Sequence, residues 1–265
     1  MSNEKPTDTS LFDMFVSQLA YTDDWRPTDY TKTHTTDSTS IIVMADLHIP
    51  KHDIAFTART LEFAMKSKIK TCLLLGDVMD MEEFSFFGID DHTSSFKRNC
   101  GYTGDFIRFL AAIFDEIIWS KGNHEERLSR SNKNHIDMDL LANMCGLTDL
   151  VGSGQLVIVE HTMLYGSVGN WAYVHPAGFS RTPGKTPSDI ASVLRRNVIT
   201  AHEHAFAMVR NNTDEYWCIS TGGMFDSRYH KYIQHNVKGY NPWVRGFSTV
   251  IDGKPHLYHY TDIMS

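Results

Sequence analysis

The residues with the most chemical capability stand directly after apolar runs. Ile41-Ile42-Val43-Met44-Ala45 is followed by Asp46-Leu47-His48, and Thr71-Cys72-Leu73-Leu74-Leu75 by Gly76-Asp77-Val78-Met79-Asp80. Ile117-Ile118-Trp119 runs into Gly122-Asn123-His124-Glu125, Trp171 to Val174 into His175, and Val198 to Ala201 into His202-Glu203-His204. Carboxylate, imidazole and carboxamide donors suit borderline divalent ions such as zinc, manganese or iron. No cysteine joins them, which argues against a structural zinc knot. Two ions held about 3.5–4 Å apart need a bridging carboxylate with further N and O donors around each. Such a pair clamps a phosphoryl group, lowers the pKa of a bound water and stabilises the charge that builds during in-line attack.

Taken singly, each motif has an ordinary explanation. Gly-Asp and Gly-Asn are common turn pairs, and a His-x-His pair is often a solvated surface feature. The order of all five, each after an apolar strand, makes a shared site the better reading, because ligand sites in open α/β sheets lie beyond the carboxyl ends of strands. His161 competes with His175, since it ends the run Val157-Ile158-Val159-Glu160. His52, His92, His135, His230 and His235 read as solvated loop residues, with His230 and His235 within reach of a cleft.

The set Asp46-x-His48, Gly76-Asp77-x-x-Asp80, Gly122-Asn123-His124-Glu125, His175 and His202-x-His204 resembles, in order, the pattern of the calcineurin-like metallophosphoesterase superfamily. Ala201 stands where relatives usually have Gly, and Pro176 follows the lone His where many have Gly. The resemblance implies that Asp46, His48 and His204 hold one metal, that Asn123, His175 and His202 hold the second, and that Asp77 bridges them. It implies two divalent ions (manganese, iron or zinc, with manganese favoured) that supply a hydroxide near neutral pH. It makes His124 the proton donor to the leaving oxygen and Asp80 the residue that orients it.

Substrate class is the coarser part of this reading. Met81-Glu82 follow Asp80 where phosphoprotein phosphatases of the superfamily carry Arg-Gly, which disfavours a phosphoprotein. The chain is more similar to the compact bacterial and phage-encoded members, and the expectation is a phosphodiesterase or nuclease acting on nucleic acid or nucleotides. The alternatives are a phosphomonoesterase on a small phosphate and, third, a degenerate protein-binding scaffold. Arg127, ahead of Arg130, is the candidate phosphate contact, against the plainer reading of a solvated helix face. Phe84, Phe86, Phe87 and Phe96 could stack a base or build a satellite core, and Arg181 and Lys185 could grip substrate.

These loops need a scaffold. The continuous apolar runs, separated by amphipathic segments, predict a parallel sheet covered on both faces within a βαβαβ core. Residues 54–68 place Ile54, Ala58, Leu61 and Met65 on one helical face, and residues 105–116 place Phe106, Phe109, Leu110, Ile113 and Phe114 on another. The second half is richer in strands, with a closing hairpin at Asp252-Gly253. Thr186-Pro187-Ser188-Asp189 reads as a helix start with Thr186 as N-cap. The fold class is therefore α/β, a two-sheet sandwich flanked by helices.

Residues 1–40 form an extension in which Leu11, Met14, Phe15 and Leu19 make a short amphipathic helix that could dock a partner or a second copy of the chain; the catalytic domain is 41–265. A formal charge of -7 speaks against gripping nucleic acid by charge alone. Cys72, Cys100, Cys145 and Cys218 lack C-x-x-C spacing and read as reduced thiols, which, with no apolar signal region and no membrane-length run, implies a cytoplasmic protein, in a host cytoplasm if phage-encoded.

Overall fold

The computed structural model describes residues 33–85, 95–133, 136–230 and 243–265, and of the preceding segment Asp13 alone. The amphipathic helix expected around Leu11 and Phe15, and Phe86 and Phe87, lie outside the described residues. The compact unit Thr33–Ser265 takes in residues 33–40, which the sequence had assigned to the extension.

The strands are short and apolar, and helices return the chain between the parallel ones. Strand β1 (Thr35–Thr36) precedes β2 (Ser40–Met44), α1 (Ile54–Lys66), β3 (Thr71–Leu75), α2 (Phe96–Ala111) and β4 (Glu116–Ser120), the expected βαβαβ core. Three helices follow, α3 (Asn123–Ser131), α4 (Met138–Met144) and α5 (Thr148–Gly152). Then come β5 (Leu156–Val159), β6 (Met163–Gly166), β7 (Trp171–Val174), α6 (Lys185–Leu194), β8 (Asn197–Thr200), β9 (Phe206–Arg210) and β10 (Trp217–Thr221). The hairpin β11 (Gly246–Ile251) and β12 (Lys254–His259) leads into α7 (Tyr260–Met264).

Two mixed six-stranded sheets result, ordered β12-β11-β2-β3-β4-β5 and β1-β6-β7-β8-β10-β9. Strands β2 to β5 run parallel, as do β7, β8 and β10; β11, β6 and β9 pair antiparallel with β2, β7 and β10. The period-two alternation of strand side chains sorts the residues into layers. Ile41, Val43, Leu73, Leu75 and Ile118 meet Trp171, Tyr173, Ile199 and Ile219 between the sheets. Ile42, Met44, Cys72, Leu74 and Trp119 face the helices on one side, with Phe56 and Leu61 of α1 and Ile107 and Leu110 of α2. Val174, Val198 and Cys218 face Ala191 of α6 on the other. Each fully buried aliphatic side chain contributes about 1.5–3 kcal/mol, so near-total burial of every residue in β3 anchors that strand at the centre.

Local details depart from the sequence reading. Helix α1 buries Phe56, Thr57, Thr60, Leu61 and Ala64, while Ile54 and Met65 are exposed. Buried threonines interrupt the apolar stripe, so counting apolar residues alone selects the wrong sector of the helix. Helix α2 starts earlier and ends at Ala111, leaving Phe109 exposed. Helix α6 starts with Gly184 as its N-cap at φ 78°, and Thr186 Oγ1 instead accepts from the Ser180 N–H at 2.9 Å. All four cysteines are free and buried. No helix among the described residues is long and apolar enough to cross a membrane.

Candidate metal centre

The carboxyl ends of β2, β3 and β4 in one sheet and of β7 and β8 in the other open onto the same place. Backbone hydrogen bonds between neighbouring loops fix the approach: the Asp46 N–H donates to Gly76 O at 3.2 Å, His48 N–H to Asp77 O at 2.9 Å, and Ala201 N–H to Val174 O at 3.1 Å. Asp46, His48, Asp77, His202 and His204 all hold positive φ, between 50° and 73°. For non-glycine residues that region is unfavourable, by about 1–2 kcal/mol each. Five such residues in one site require a surrounding structure that enforces them.

Asp46, His48 and His204 form one cluster. Asp46 Oδ1 lies 3.4 Å from His204 Nε2, and His48 Nε2 lies 3.3 Å from His204 Nε2. Asp77, His175 and His202 form the second, with His175 Nε2 at 3.4 Å from Asp77 Oδ1 and 3.0 Å from Asn123 Oδ1. The clusters adjoin, because the His202 N–H donates to Asp46 Oδ2 at 3.1 Å while its ring belongs to the other group. All seven are buried except Asn123 and His202, which are half-buried. His161 belongs to neither cluster among the described residues.

The donor set fits two divalent cations. Two imidazole Nε2 atoms facing each other across 3.3 Å, both beside buried carboxylates, need a proton or a cation between them. His204 Nδ1 is buried with no hydrogen-bond partner among the described residues, while His175 Nδ1 rests on the Leu75 carbonyl at 3.0 Å, the kind of outer contact that orients a ligand ring.

Protein groups alone already polarise the site. Burial would raise Asp77, but His124, His175 and His48 hold it well below the usual carboxylate range. Burial likewise opposes ionised Asp46, and His204 outweighs it. Burial opposes a charged His175, yet Asp77 and Asp46 push it up to about 10. His202 is lowered by burial and by His175.

His124 sits on the first turn of α3, where its N–H donates to Asp77 Oδ1 at 2.8 Å, so the helix N-terminus favours that carboxylate's charge. Its ring carries Nδ1 at 2.5 Å from the Asp80 carbonyl oxygen and Nε2 at 3.8 Å from Asp77 Oδ2. Arg127 reaches the ring with Nη2 at 2.8 Å from Nε2. Burial first, then His48 and Arg127, lower His124 to about 3, although Asp77 and Asp80 pull the other way. The sequence reading had the Asp80 carboxylate orienting a charged His124. Here that carboxylate stands 3.7 Å from His124 Nδ1 but 3.3 Å from His48 Nδ1 and 2.7 Å from Lys51 Nζ, and burial disfavours a charged His124.

Arg130 is exposed and pairs with Glu126. Phe84 and Phe96 pack edge-to-face against each other and onto the core, the satellite-core alternative. Arg181 and Lys185 are exposed, and Lys185 pairs with Asp189. His230 is buried rather than solvated, its ring 5.3 Å from that of His48.

Three supporting residues escaped the sequence reading. Glu125 is buried and accepts from the N–H groups of Gly122 at 2.9 Å, Asp77 at 3.0 Å, Val78 at 2.8 Å and Met79 at 3.0 Å, tying two motif loops together. Its spacing three residues after Gly122 is that of a capping box, which was the available signal. Lys51 bridges Asp80 and Glu82. Glu203 accepts from Thr200 Oγ1 at 3.1 Å and from Ser220 Oγ, bracing the His202-x-His204 turn. The two motif glycines are sterically required. A Cβ on Gly76, at φ 72°, would lie 2.4 Å from His175 Nδ1, and one on Gly122 would lie 2.2 Å from Asp77 N.

Among solved structures, the fold is similar to that of Yfce, a phosphoesterase from E. coli, at 13% identity over 84% of this chain and 94% of that one, with a TM-score of 0.45. It is also similar to Vps29 from Chaetomium thermophilum, at 15% identity over 80% and 84% with a TM-score of 0.42. Vps29 complexed with zinc from Entamoeba histolytica matches at 14% identity over 83% and 99%, with a TM-score of 0.39. No curated protein matches the sequence. The family described as calcineurin-like phosphoesterase matches residues 39–218, from β2 through the last candidate ligand and into β10, and on that match this chain belongs to the calcineurin-like phosphoesterase family.

Proposed function

We propose that this chain is a dimetal-dependent phosphoester hydrolase acting on phosphodiesters of nucleotides or nucleic acid. The observation that carries this reading is the pair of adjoining donor clusters, Asp46-His48-His204 and Asp77-His175-His202. Asp77, 3.4 Å from His175 Nε2 and 3.8 Å from His124 Nε2, is the carboxylate that would be shared by the two cations, and Asn123 would complete the second cluster. Two bound cations, with manganese favoured, would supply Lewis-acid activation of water and neutralise charge on phosphorus.

The chain's own residues do the rest. Arg127 exchanges its contact with the His124 ring for a charge-assisted bond to a phosphoryl oxygen. An anionic group beside His124 raises the ring's proton affinity, so Nε2 takes a proton from solvent water while Nδ1–H stays on Asp80 O, and Nε2 then gives that proton to the leaving oxygen. Met81 is buried and Glu82 is engaged by Lys51, so neither position presents the cationic contact of a phosphoprotein phosphatase.

The test compares bis(p-nitrophenyl) phosphate with p-nitrophenyl phosphate, and a DNA and RNA panel, using manganese-loaded protein. His124→Ala lowers turnover by about 10²–10⁴-fold while cations stay bound; Asp77→Ala loses the cations. Activity confined to monoesters overturns the diester assignment. Protein that retains less than about one transition-metal ion per chain and gains no turnover with manganese is a scaffold and not an enzyme.

A further inference from the structure

Resting on the phosphodiesterase reading, we propose that Phe179 is a specificity residue, the aromatic wall on which a base of the substrate stacks beside the second cluster. Single exposed aromatics are common on protein surfaces; the position of this one sets it apart. Phe179 is 53% exposed and belongs to none of the core clusters among the described residues. Its ring stands edge-on to that of His202, with centroids 5.5 Å apart. His202 is itself half-buried, so the two rings form the rim of the cluster on that side.

The other described aromatics at the centre are committed to packing. Phe225 is buried and stacked on His204 at 4.6 Å, and Trp243 meets both, at 4.1 Å from His204 and 5.0 Å from Phe225. Of the four stacking candidates named from sequence, Phe84 and Phe96 pack onto the core, and Phe86 and Phe87 lie outside the described residues. Among the described residues, a base entering from solvent therefore finds one open π-face beside the second cluster, that of Phe179.

The segment carrying Phe179 is held in place. The Ser180 N–H donates to Thr186 Oγ1 at 2.9 Å, and the Gly184 N–H donates to Ser220 Oγ at 3.2 Å. Ser220 Oγ in turn donates to Glu203, the residue between His202 and His204. The same buried carboxylate thus braces the ligand turn and, through Ser220, the end of the aromatic's segment. A stacking surface fixed relative to the reacting phosphorus orders a nucleoside without reading its identity.

Two diesters with the same leaving group test this: thymidine 5′-(p-nitrophenyl phosphate) and methyl p-nitrophenyl phosphate, with manganese-loaded protein. Wild type should favour the nucleoside ester in kcat/KM. Phe179→Ala should lower that preference by about 5–100-fold, mainly through KM, since base–aromatic stacking has that strength. Phe179→Trp should restore it, and Phe179→Leu should not. Cation content measured on each variant confirms an intact centre. If wild type cleaves both esters but Phe179→Ala leaves their ratio unchanged, the stacking role is wrong and the diesterase reading stands. If wild type cleaves neither, the diesterase reading is wrong and the stacking role goes with it.

Discussion

The carboxylate of Asp80 faces His48 Nδ1 at 3.3 Å and leaves His124 to the Asp80 backbone carbonyl. His48 is a candidate cation ligand, so Asp80 stands as the outer partner of a ligating imidazole, and Lys51 locks it from behind at 2.7 Å. Outer carboxylates of this kind set ring orientation and ligand basicity.

Asp80→Ala should therefore weaken cation retention at the Asp46-His48-His204 cluster by about 10–100-fold. Calorimetric titration with manganese would measure it. Unchanged affinity with a purely kinetic defect would return Asp80 to the role of orienting His124.

Glu125→Ala removes the acceptor of four backbone N–H groups in the buried junction of the Asp77 and His124 loops. An orphaned buried donor costs about 1–3 kcal/mol, and water entering the space offsets part of the sum. A loss of about 3–5 kcal/mol in urea unfolding is expected, the size of breaking a buried charged network. A change under about 1 kcal/mol would show that the junction does not depend on this carboxylate.

Gly122→Ala places a Cβ 2.3 Å from Asp77 Oδ1. Asp77, the carboxylate proposed to bridge the cations, must shift, so cation content should fall well before the fold is lost. Elemental analysis beside a thermal melt separates the two, and full cation content in the variant contradicts the geometry.

Cation loading should depend on pH through His175, which Asp77 and Asp46 push up to about 10 against burial. Below that pH the ring carries a proton that a cation must displace. Apparent affinity should rise with pH up to about tenfold per unit and level off near 10. For the cation-free protein the sign is opposite. The raised pKa contributes stability fully present below the unfolded value of 6.5 and lost as pH rises through about 10. Calorimetry in buffers of different ionisation enthalpy counts the protons released, and none released would contradict the assignment.

Much of the centre was legible because metal-capable residues directly follow strands, and strand order in a parallel sheet puts such ends on one side. The strands Thr71–Leu75, Trp171–Val174 and Gly246–Ile251 occur with the expected bounds. Helix faces were less legible. In α1, Thr57 and Thr60 are buried while Ile54 is exposed, because a helix packs by shape and small size as well as by apolarity. Strands β6 and β9 and helices α4 and α5 went unassigned, since a few residues carry too little periodicity to stand out.

By itself the sequence determined the donor types, their order along the chain and the parallel strands that carry them, since those follow from side-chain chemistry and local patterning. The tertiary structure alone decided which donors meet. It set His48 against His204, 156 positions apart, turned Asp80 toward His48, made Glu125 the tie between two loops and left Phe179 open beside His202. The reason is physical. A residue's type is local, whereas its neighbours, burial and left-handed backbone are imposed by two sheets closing on one another, and no spacing along the chain encodes that closure.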